Sequence, residues 1–268
     1  MNSEPGAQKA ALRRVVIALD SRGAGAAQLA AAVQLASLLK AELRGLFLAD
    51  SALQRLASLP FALEVSLASA QTRALSAAEL ARGLRVQAAR MEAALGEAAR
   101  AMGVAWSFDL LRDQSLAALL TRARESELVL VGGARRVATP GPWARSLRRQ
   151  PVAVLCGEET GVARALDAAV QIARFQRRPL LVLCPSRLLS RPGLRERVTA
   201  QLGDRSLPAA FAGFDGKEGL AGVCRQAGRA GASLLVLDAV QASGADVKAL
   251  EDAPCAVALV GGSAEGGP

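Results

Sequence analysis

An internal repeat of apolar segments is the feature that most constrains the fold. The run Val15–Asp20 aligns with Val152–Gly157, and Ala31–Ala36 aligns with Ala168–Ala173 at the same spacing. In each half the first run is typical of a strand and the second has the apolar spacing of a helix. A chain of 268 residues is long enough to bury two cores of ordinary size. The repeat therefore predicts two related domains, over residues 12–150 and 151–262.

Strands and helices alternate along both halves. The first half has apolar runs that predict strands over 15–20, 43–48, 106–111 and 128–131, with helices over 29–39 and 116–124. The second half predicts strands over 152–156, 180–184, 208–212, 234–238 and 255–260, with helices over 162–176, 193–202, 217–230 and 244–251. Such alternation places helices on both faces of a parallel sheet. The predicted fold class is α/β, with two doubly wound, mainly parallel, Rossmann-like sheets.

The first half carries an insertion, residues 51–102, between its second and third strands. Ser76 and Glu79 form a capping-box pattern, apolar residues then recur at helical spacing, and Gly103 is a typical helix-ending residue. These signals predict one long helix over about 76–102. Its apolar stripe is interpreted as cover for its own sheet, with a docking or dimer face as the alternative. The preceding segment, 56–75, has no clear period and is expected to be a loop or short strand that could act as a flap.

The strand at 152–156 fits two assignments, because it resembles both the first strand of one half and the last strand of a half. If it closed the first half, the second half would lose its central strand and leave rows of backbone groups unpaired, at about 1–3 kcal/mol for each buried group. We therefore assign it to the second half. The first half then lacks an edge strand, and its fourth strand needs cover from segment 137–149, from the other half or from a second chain.

Composition excludes several classes of chemistry. The chain has no histidine and no tyrosine, so mechanisms that use imidazole as base, proton shuttle or metal ligand are excluded. The cysteines have no C-x-x-C spacing and are expected to be reduced and structural; they are Cys156, Cys184, Cys224 and Cys255. No apolar run approaches the length of a membrane span and no export signal begins the chain, so a cytoplasmic protein is expected.

The net charge of +9 favours anionic partners, although aromatic residues make up 3% of the chain, too few to stack on successive bases. Nucleic acid is therefore not an expected partner. The segment 135–149 carries five arginines, a tryptophan and no acidic residue; these residues are Arg135, Arg136, Arg145, Arg148, Arg149 and Trp143. We interpret it as a solvated basic surface, with a phosphate or acidic-partner contact as the alternative.

Taken together, these residues resemble the universal stress protein family, as a tandem of two domains. The resemblance is carried by "VVIALDSRGAG" from Val15, "ESELVLVGGAR" from Glu125 and "EDAPCAVALVGG" from Glu251. It implies a strand order of 3-2-1-4-5 in each half and, in nucleotide-binding members, ATP at the carboxyl ends of the strands. A crevice at that edge is also where open α/β sheets bind ligands in general.

The resemblance implies four nucleotide-binding positions in the first half, which are Asp20, Leu48, Gly132 and Arg135. The family loop after the fourth strand reads G-x-x-G, nine residues, then G-S or G-T, because glycines let backbone amides close around phosphates. Here Arg135 replaces the second glycine and the terminal G-[ST] is missing. The second half has Gly157 in place of the aspartate, and its loop begins at Asp238 without a glycine. We therefore expect no nucleotide in the second half.

Three functions follow as hypotheses. The first is a cytoplasmic regulatory or interaction protein without enzymatic activity and without a cofactor, whose ATP-binding motif has eroded. The second is a stress sensor that binds ATP or AMP in its first half. The third, a slow ATPase, has the least support because no Walker-type loop and no paired catalytic carboxylates are visible. The protein partner is open, and a homodimer through a sheet edge or the long helix is one alternative.

Overall fold

The computed structural model describes residues 14–20, 26–49, 55–65, 70–111, 128–131, 150–157, 162–189, 193–202, 207–242 and 247–261. The strands are β1 Arg14–Asp20, β2 Glu42–Leu48, β3 Leu63–Val65, β4 Thr72–Ala74, β5 Trp106–Leu111, β6 Leu128–Val131, β7 Val152–Leu155, β8 Leu180–Pro185, β9 Ala209–Phe214, β10 Leu234–Asp238 and β11 Ala256–Val260. The helices are α1 Ala26–Leu39, α2 Ala77–Ala101, α3 Val162–Phe175, α4 Ser186–Leu189, α5 Leu194–Leu202, α6 Gly219–Arg229 and α7 Val247–Glu251. The predicted helix over 116–124 lies outside the described residues.

Strands of both halves lie side by side in one nine-stranded sheet, in the order β5-β2-β1-β6-β11-β10-β7-β8-β9. The second half has the order 3-2-1-4-5 and the first half has 3-2-1-4, so β1 and β7 are the central strands of their halves. Within the nine-stranded sheet, the strands of each half pair in parallel. The assignment of strand 152–156 to the second half is confirmed, because β7 pairs with β8 and β10.

The sequence predicted two sheets, and the structure corrects this to one. Strand β6, the fourth strand of the first half, pairs antiparallel with β11, the fifth strand of the second half, with Leu130 opposite Ala258. This pairing covers the strand edge that the first half would otherwise leave bare. Of the three predicted sources of cover, the other half supplies it. The division at residues 150 and 151 stays a prediction about the sequence halves.

Each face of the sheet has an apolar core that contains residues from both halves. In β1 the side chains of Val15 and Ile17 pack on one face and those of Val16 and Ala18 on the other. Helices α1, α2 and α3 contribute to the first face, and α6 contributes to the second. Burial on both faces explains why the strands read as continuous apolar runs instead of alternating ones.

The predicted long helix is present as α2. The Ser76 hydroxyl oxygen accepts the Glu79 backbone N–H at 3.3 Å, and the chain leaves the helix at Gly103, whose φ of +65° suits glycine. The apolar stripe of α2 is buried, as Leu84, Met91 and Leu95 show. The helix packs on α1, β2 and β5. The buried part of the stripe therefore covers its own sheet, and a dimer contact through the long helix stays a prediction.

Two glycines let α2 approach the sheet closely. A Cβ on Gly96 of α2 would lie 2.5 Å from Cζ2 of Trp106 in β5. A Cβ on Gly45 of β2 would lie 2.6 Å from Cδ2 of Leu95 and 2.7 Å from Cδ2 of Phe108. Side chains at these positions would force the helix away from β2 and β5.

Residues before α2 form a β-hairpin that is separate from the main sheet. Strands β3 and β4 pair antiparallel, with Glu64 opposite Arg73. The Arg73 guanidinium pairs with the Glu64 carboxylate and lies 3.7 Å from Oε2 of Glu79. These contacts raise the pKa of Arg73, chiefly through the hydrogen bond to Glu64. The hairpin is thus joined to the first turn of α2, and the expectation of a loop or short strand is met by two short strands.

Replacing Ser76 with alanine is expected to lower the free energy of unfolding by about 1 kcal/mol, because an N-cap acceptor is lost. Urea denaturation followed by circular dichroism measures this change. Ser76→Asp keeps an acceptor and adds a favourable charge at the helix N-terminus, so it should stay within about 0.5 kcal/mol of the unsubstituted protein. Equal losses in both variants would contradict the capping role.

Candidate functional site

Open α/β sheets bind ligands at the carboxyl ends of their central strands, so each half has one candidate position there, which we call its crevice. In the first half Asp20 ends β1 and Leu48 ends β2, and their Cα atoms are register partners across the parallel pair. Leu48 is buried in the core, so its backbone is the part that could contact a ligand. The structure therefore brings Asp20 and Leu48 together at one edge of the sheet. Gly132 and Arg135, with the arginine-rich segment 135–149, lie outside the described residues.

In the second half the crevice between β7 and β10 contains a buried carboxylate. Asp238 ends β10, and its side chain is 1% exposed. Its Oδ1 accepts the backbone N–H of Val240 at 2.9 Å, while the backbone N–H of Asp238 donates to Oε1 of Gln241 at 3.2 Å. The reciprocal bonds form a capping box on the short 3₁₀ turn Ala239–Gln241.

Asp238 also has a cationic partner on the neighbouring helix. Nη2 of Arg164, in the first turn of α3, lies 3.3 Å from Oδ2 of Asp238. The arginine side chain is 45% exposed, so water reaches one side of the pair and weakens it. A buried carboxylate is costly without such partners, and this one has both a guanidinium and a backbone amide.

The carboxylate uses the kinds of group that an oxyanion ligand would need. Phosphates bind to backbone N–H groups at turns and helix starts and to arginine side chains. Here the Val240 amide and the Arg164 guanidinium both contact Asp238. Gln241 also fills space near β7, since a Cβ on Gly157 would lie 3.6 Å from its Nε2. The second crevice is therefore occupied by the chain's own side chains.

Comparison with solved structures identifies the fold. A universal stress protein from Archaeoglobus fulgidus DSM 4304 superimposes with a TM-score of 0.52 over 94% of this chain and 97% of that chain, at 10% sequence identity. The chain has the universal stress protein fold. The predicted resemblance is thereby confirmed at the level of fold. No protein-family model and no curated protein sequence matches the chain.

A second match, a protein from the universal stress protein family from Burkholderia pseudomallei, covers 76% of this chain and 98% of that chain. Its TM-score is 0.29 and its sequence identity is 14%. Among the residues that the structure describes, no helix combines the length and apolarity needed to cross a membrane.

Within this universal stress protein fold, sequence reasoning missed the roles of Arg164, Asp238 and Gln241. Asp238 was interpreted only as the loss of a loop glycine. The pattern Asp-Ala-Val-Gln after an apolar strand was the available signal, because an acceptor followed three residues later by glutamine is typical of a capping box. Arg164 had no comparable signal, since its position beside Asp238 depends on how α3 crosses the sheet.

A surface depression lies at the carboxyl ends of β8 and β9. It has a volume of about 700 Å³ and is lined by Pro185, Ser186, Arg187, Phe214, Asp215, Gly216 and Lys217. Its polar groups partly satisfy one another: the Ser186 hydroxyl donates to the carbonyl of Phe214, and Asp215 accepts the backbone N–H of Lys217. The side chains of Arg187 and Lys217 are therefore the main polar groups that the depression offers to a ligand.

The cysteines are all buried thiols, as predicted for structural residues. Burial, together with the nearby Cys224, raises the pKa of Cys255 to about 12. Burial also raises the pKa of Cys184, although Arg195 acts in the opposite direction. Since the thiolate is the reactive form, these two thiols are poor nucleophiles at neutral pH. In the parts of the chain covered by the structure, no group of three or more cysteine, aspartate or glutamate side chains is arranged to hold a metal ion.

Proposed function

We propose that the chain is a cytoplasmic regulatory or interaction protein of the universal stress type, without enzymatic activity, and that its second half binds no nucleotide. The observation that carries this proposal is the Asp238 carboxylate in the crevice of the second half, bound to the Val240 amide and to Arg164. In this interpretation the ATP-binding motif has eroded, and the protein functions by binding a protein partner.

Electrostatics supports the absence of a nucleotide from the second half. A phosphate entering this crevice would meet a carboxylate of the same sign, whose amide and guanidinium partners are already engaged. Displacing Asp238 would leave a charge that is 99% buried without its partners, which typically costs several kcal/mol. The binding energy of a phosphate would first have to offset this cost.

Side-chain chemistry supports a role without catalysis. The sequence contains no histidine, and the raised pKa of Cys255 leaves that thiol protonated at neutral pH. Asp238 is bound to an arginine instead of being poised beside a second carboxylate. Nucleophilic catalysis by a thiol requires the thiolate form, so Cys255 is not suited to it.

Calorimetric titration with Mg-ATP, AMP and cyclic nucleotides, at low and at physiological salt, tests the proposal. We expect no saturable heat from the second half, and Asp20→Ala with its matched control Glu97→Ala identifies any heat that comes from the first half. Glu97 is exposed on α2 and follows Gly96, which contacts Trp106 at the amino end of β5, the sheet edge opposite to Asp20. Saturable binding that survives Asp20→Ala would contradict the proposal.

A second candidate function is an adenine-nucleotide sensor that binds ATP or AMP in the first half through Asp20, Leu48, Gly132 and Arg135. The register pairing of Asp20 with Leu48 supports it, because it places these two positions side by side at the carboxyl edge of the sheet. This candidate predicts saturable binding that Asp20→Ala reduces by at least tenfold and that Glu97→Ala leaves unchanged. Nucleotide binding in the first half is compatible with a second half that binds no nucleotide.

Partner binding, including a homodimer, is proposed at the outer edges of the sheet. Strands β5 and β9 are the two outermost strands, and strand edges pair readily with other chains. The inner edges of β6 and β11 pair with each other, so they are not available to a second chain. Within this chain, the antiparallel pairing of β6 with β11 thus replaces the edge-to-edge pairing that two separate subunits could make.

A further inference from the structure

The residues before α2 expose a cluster of large apolar side chains. Among the described residues, nine large apolar side chains are exposed, and five of them lie within residues 56–65. These five, which we call the hairpin surface, are Leu56, Leu59, Phe61, Leu63 and Val65. We propose that the hairpin surface is a homodimer interface, which packs against the same surface of a second copy of this chain. The inference rests on the proposed function, because it names the partner of a protein that functions by binding.

Alternation along β3 gives the hairpin one apolar face. Phe61, Leu63 and Val65 are 75%, 63% and 60% exposed, and residues two apart in an extended chain point to the same face. Their neighbours across the hairpin are small, since Ala74 lies opposite Leu63 and Thr72 lies opposite Val65. The three large side chains therefore stand on a face that another apolar surface can contact.

The opposite face of the hairpin already has a partner. Glu64 and Arg73 are register partners, so their side chains share the face opposite to that of Leu63. Arg73 reaches the first turn of α2, where its Nη2 lies 3.7 Å from Oε2 of Glu79. The apolar face therefore points away from α2. A two-stranded hairpin is marginally stable by itself, and a second copy would cover the face that α2 leaves exposed.

Two hydrogen-bonded turns hold the remaining members of the hairpin surface close to the start of β3. The backbone N–H of Leu59 donates to the carbonyl of Leu56 at 3.1 Å, and the backbone N–H of Ala62 donates to the carbonyl of Leu59 at 3.1 Å. Both leucines are exposed. They extend the apolar face of the hairpin along the chain toward its amino end.

The area of the hairpin surface matches what a dimer needs. A large apolar side chain has roughly 200 Å² of surface, so the five residues expose on the order of 600 Å². A patch of this size is at the upper end of what monomeric proteins expose. Two copies in contact would remove about 1,200 Å² from water, the lower end of the range for stable interfaces. The surface is thus large enough only if it meets an equal one.

Charge favours a second copy at this surface. Residues 55–79 contain four charged side chains, and their formal charges cancel; these are Arg55, Glu64, Arg73 and Glu79. The chain as a whole carries +9, so repulsion opposes the approach of two copies through the rest of the surface. An acidic partner would be attracted to that cationic remainder. A neutral apolar patch is complementary to itself, as a twofold interface requires.

Sedimentation velocity of the full-length protein tests the proposal. We expect a concentration-dependent dimer with a dissociation constant in the micromolar range or below. The double variant Phe61→Ser, Leu63→Thr should raise this constant at least tenfold, because it removes large apolar side chains from the centre of the interface. Both positions are exposed, and threonine is compatible with a strand, so circular dichroism should show an unchanged fold.

Salt dependence separates an apolar interface from a charged one. Raising sodium chloride from low to physiological concentration screens the repulsion between two chains of net charge +9. Contact between apolar side chains does not depend on that screening. We therefore expect the dimer to be at least as strong at physiological salt, and a dimer weakened by salt would contradict the proposal.

The matched control is Phe175→Ser, which removes an exposed phenylalanine from the end of α3 in the second half and should leave the dimer unchanged. A monomer at all concentrations would overturn the proposal and leave the hairpin surface to a different protein. A dimer that persists in the double variant would also overturn it, and would favour the sheet edges or the long helix as the contact. Nucleotide binding in the second half, measured separately, would contradict the proposed function and leave the dimer in place.

Discussion

Replacing Asp238 with alanine is expected to lower the free energy of unfolding by about 3 kcal/mol. The substitution removes the acceptor of the Val240 amide and leaves a polar group unsatisfied, which typically costs about 1–3 kcal/mol. It also removes the partner of Arg164, but that side chain is 45% exposed, so the lost pair adds about 1 kcal/mol or less. Urea denaturation measures the change.

Two further variants separate the contributions at this site. Asp238→Asn keeps an oxygen acceptor for Val240 and loses only the charge, so a loss of about 1 kcal/mol is expected. Arg164→Gln should cost about 1–2 kcal/mol, because the buried carboxylate keeps its amide donor but loses its cation. If Asp238→Ala stays within about 0.5 kcal/mol of the unsubstituted protein, the carboxylate has no such partners and the proposed closure of the crevice is wrong.

Replacing Ala258 with proline is expected to lower the free energy of unfolding by about 3 kcal/mol or more. Ala258 is fully buried in β11 and lies between Leu130 of β6 and Val236 of β10. A proline there removes a backbone donor from an interior strand, where proline is almost never found. Ala209→Pro is the matched control, since Ala209 is the exposed first residue of the outer strand β9, where proline is tolerated.

The same variant tests whether the halves are coupled. Both tryptophans, Trp106 and Trp143, lie in the first half of the sequence, whereas Ala258 lies in the second. Because β11 pairs with β6 and both cores contain residues of both halves, fluorescence and circular dichroism should report the same lowered midpoint. A fluorescence midpoint that stays at its original value would contradict a continuous sheet.

Local patterns were sufficient to predict most elements of this fold. Strands β6 and β10 occupy Leu128–Val131 and Leu234–Asp238, the residues predicted for them, because each is a short apolar run bounded by polar or glycine residues. Helix α2 was predicted from its cap, its apolar stripe and Gly103. These signals lie within a few residues of one another and do not depend on the rest of the chain.

Pairing between the halves was not predictable in the same way. The need to cover β6 follows from the missing edge strand, but three sources of cover satisfied that need equally well. The choice of β11, and its antiparallel direction, depends on how the two halves pack against each other. The residues of the two strands carry no signal that identifies the partner strand. Similarly, the loss of loop glycines indicated an altered crevice, whereas the contact of Asp238 with Arg164 required the position of α3.

In our proposal, Asp238 occupies the crevice in which the second half of a universal stress fold could hold a phosphate. A titration of the isotopically labelled protein with Mg-ATP, followed through the backbone amide signals of Gly157 and Val240, tests it at the site itself. We expect both signals to stay unchanged up to millimolar nucleotide, whether or not nucleotide binds near Asp20. Saturable shifts of the two signals would contradict it.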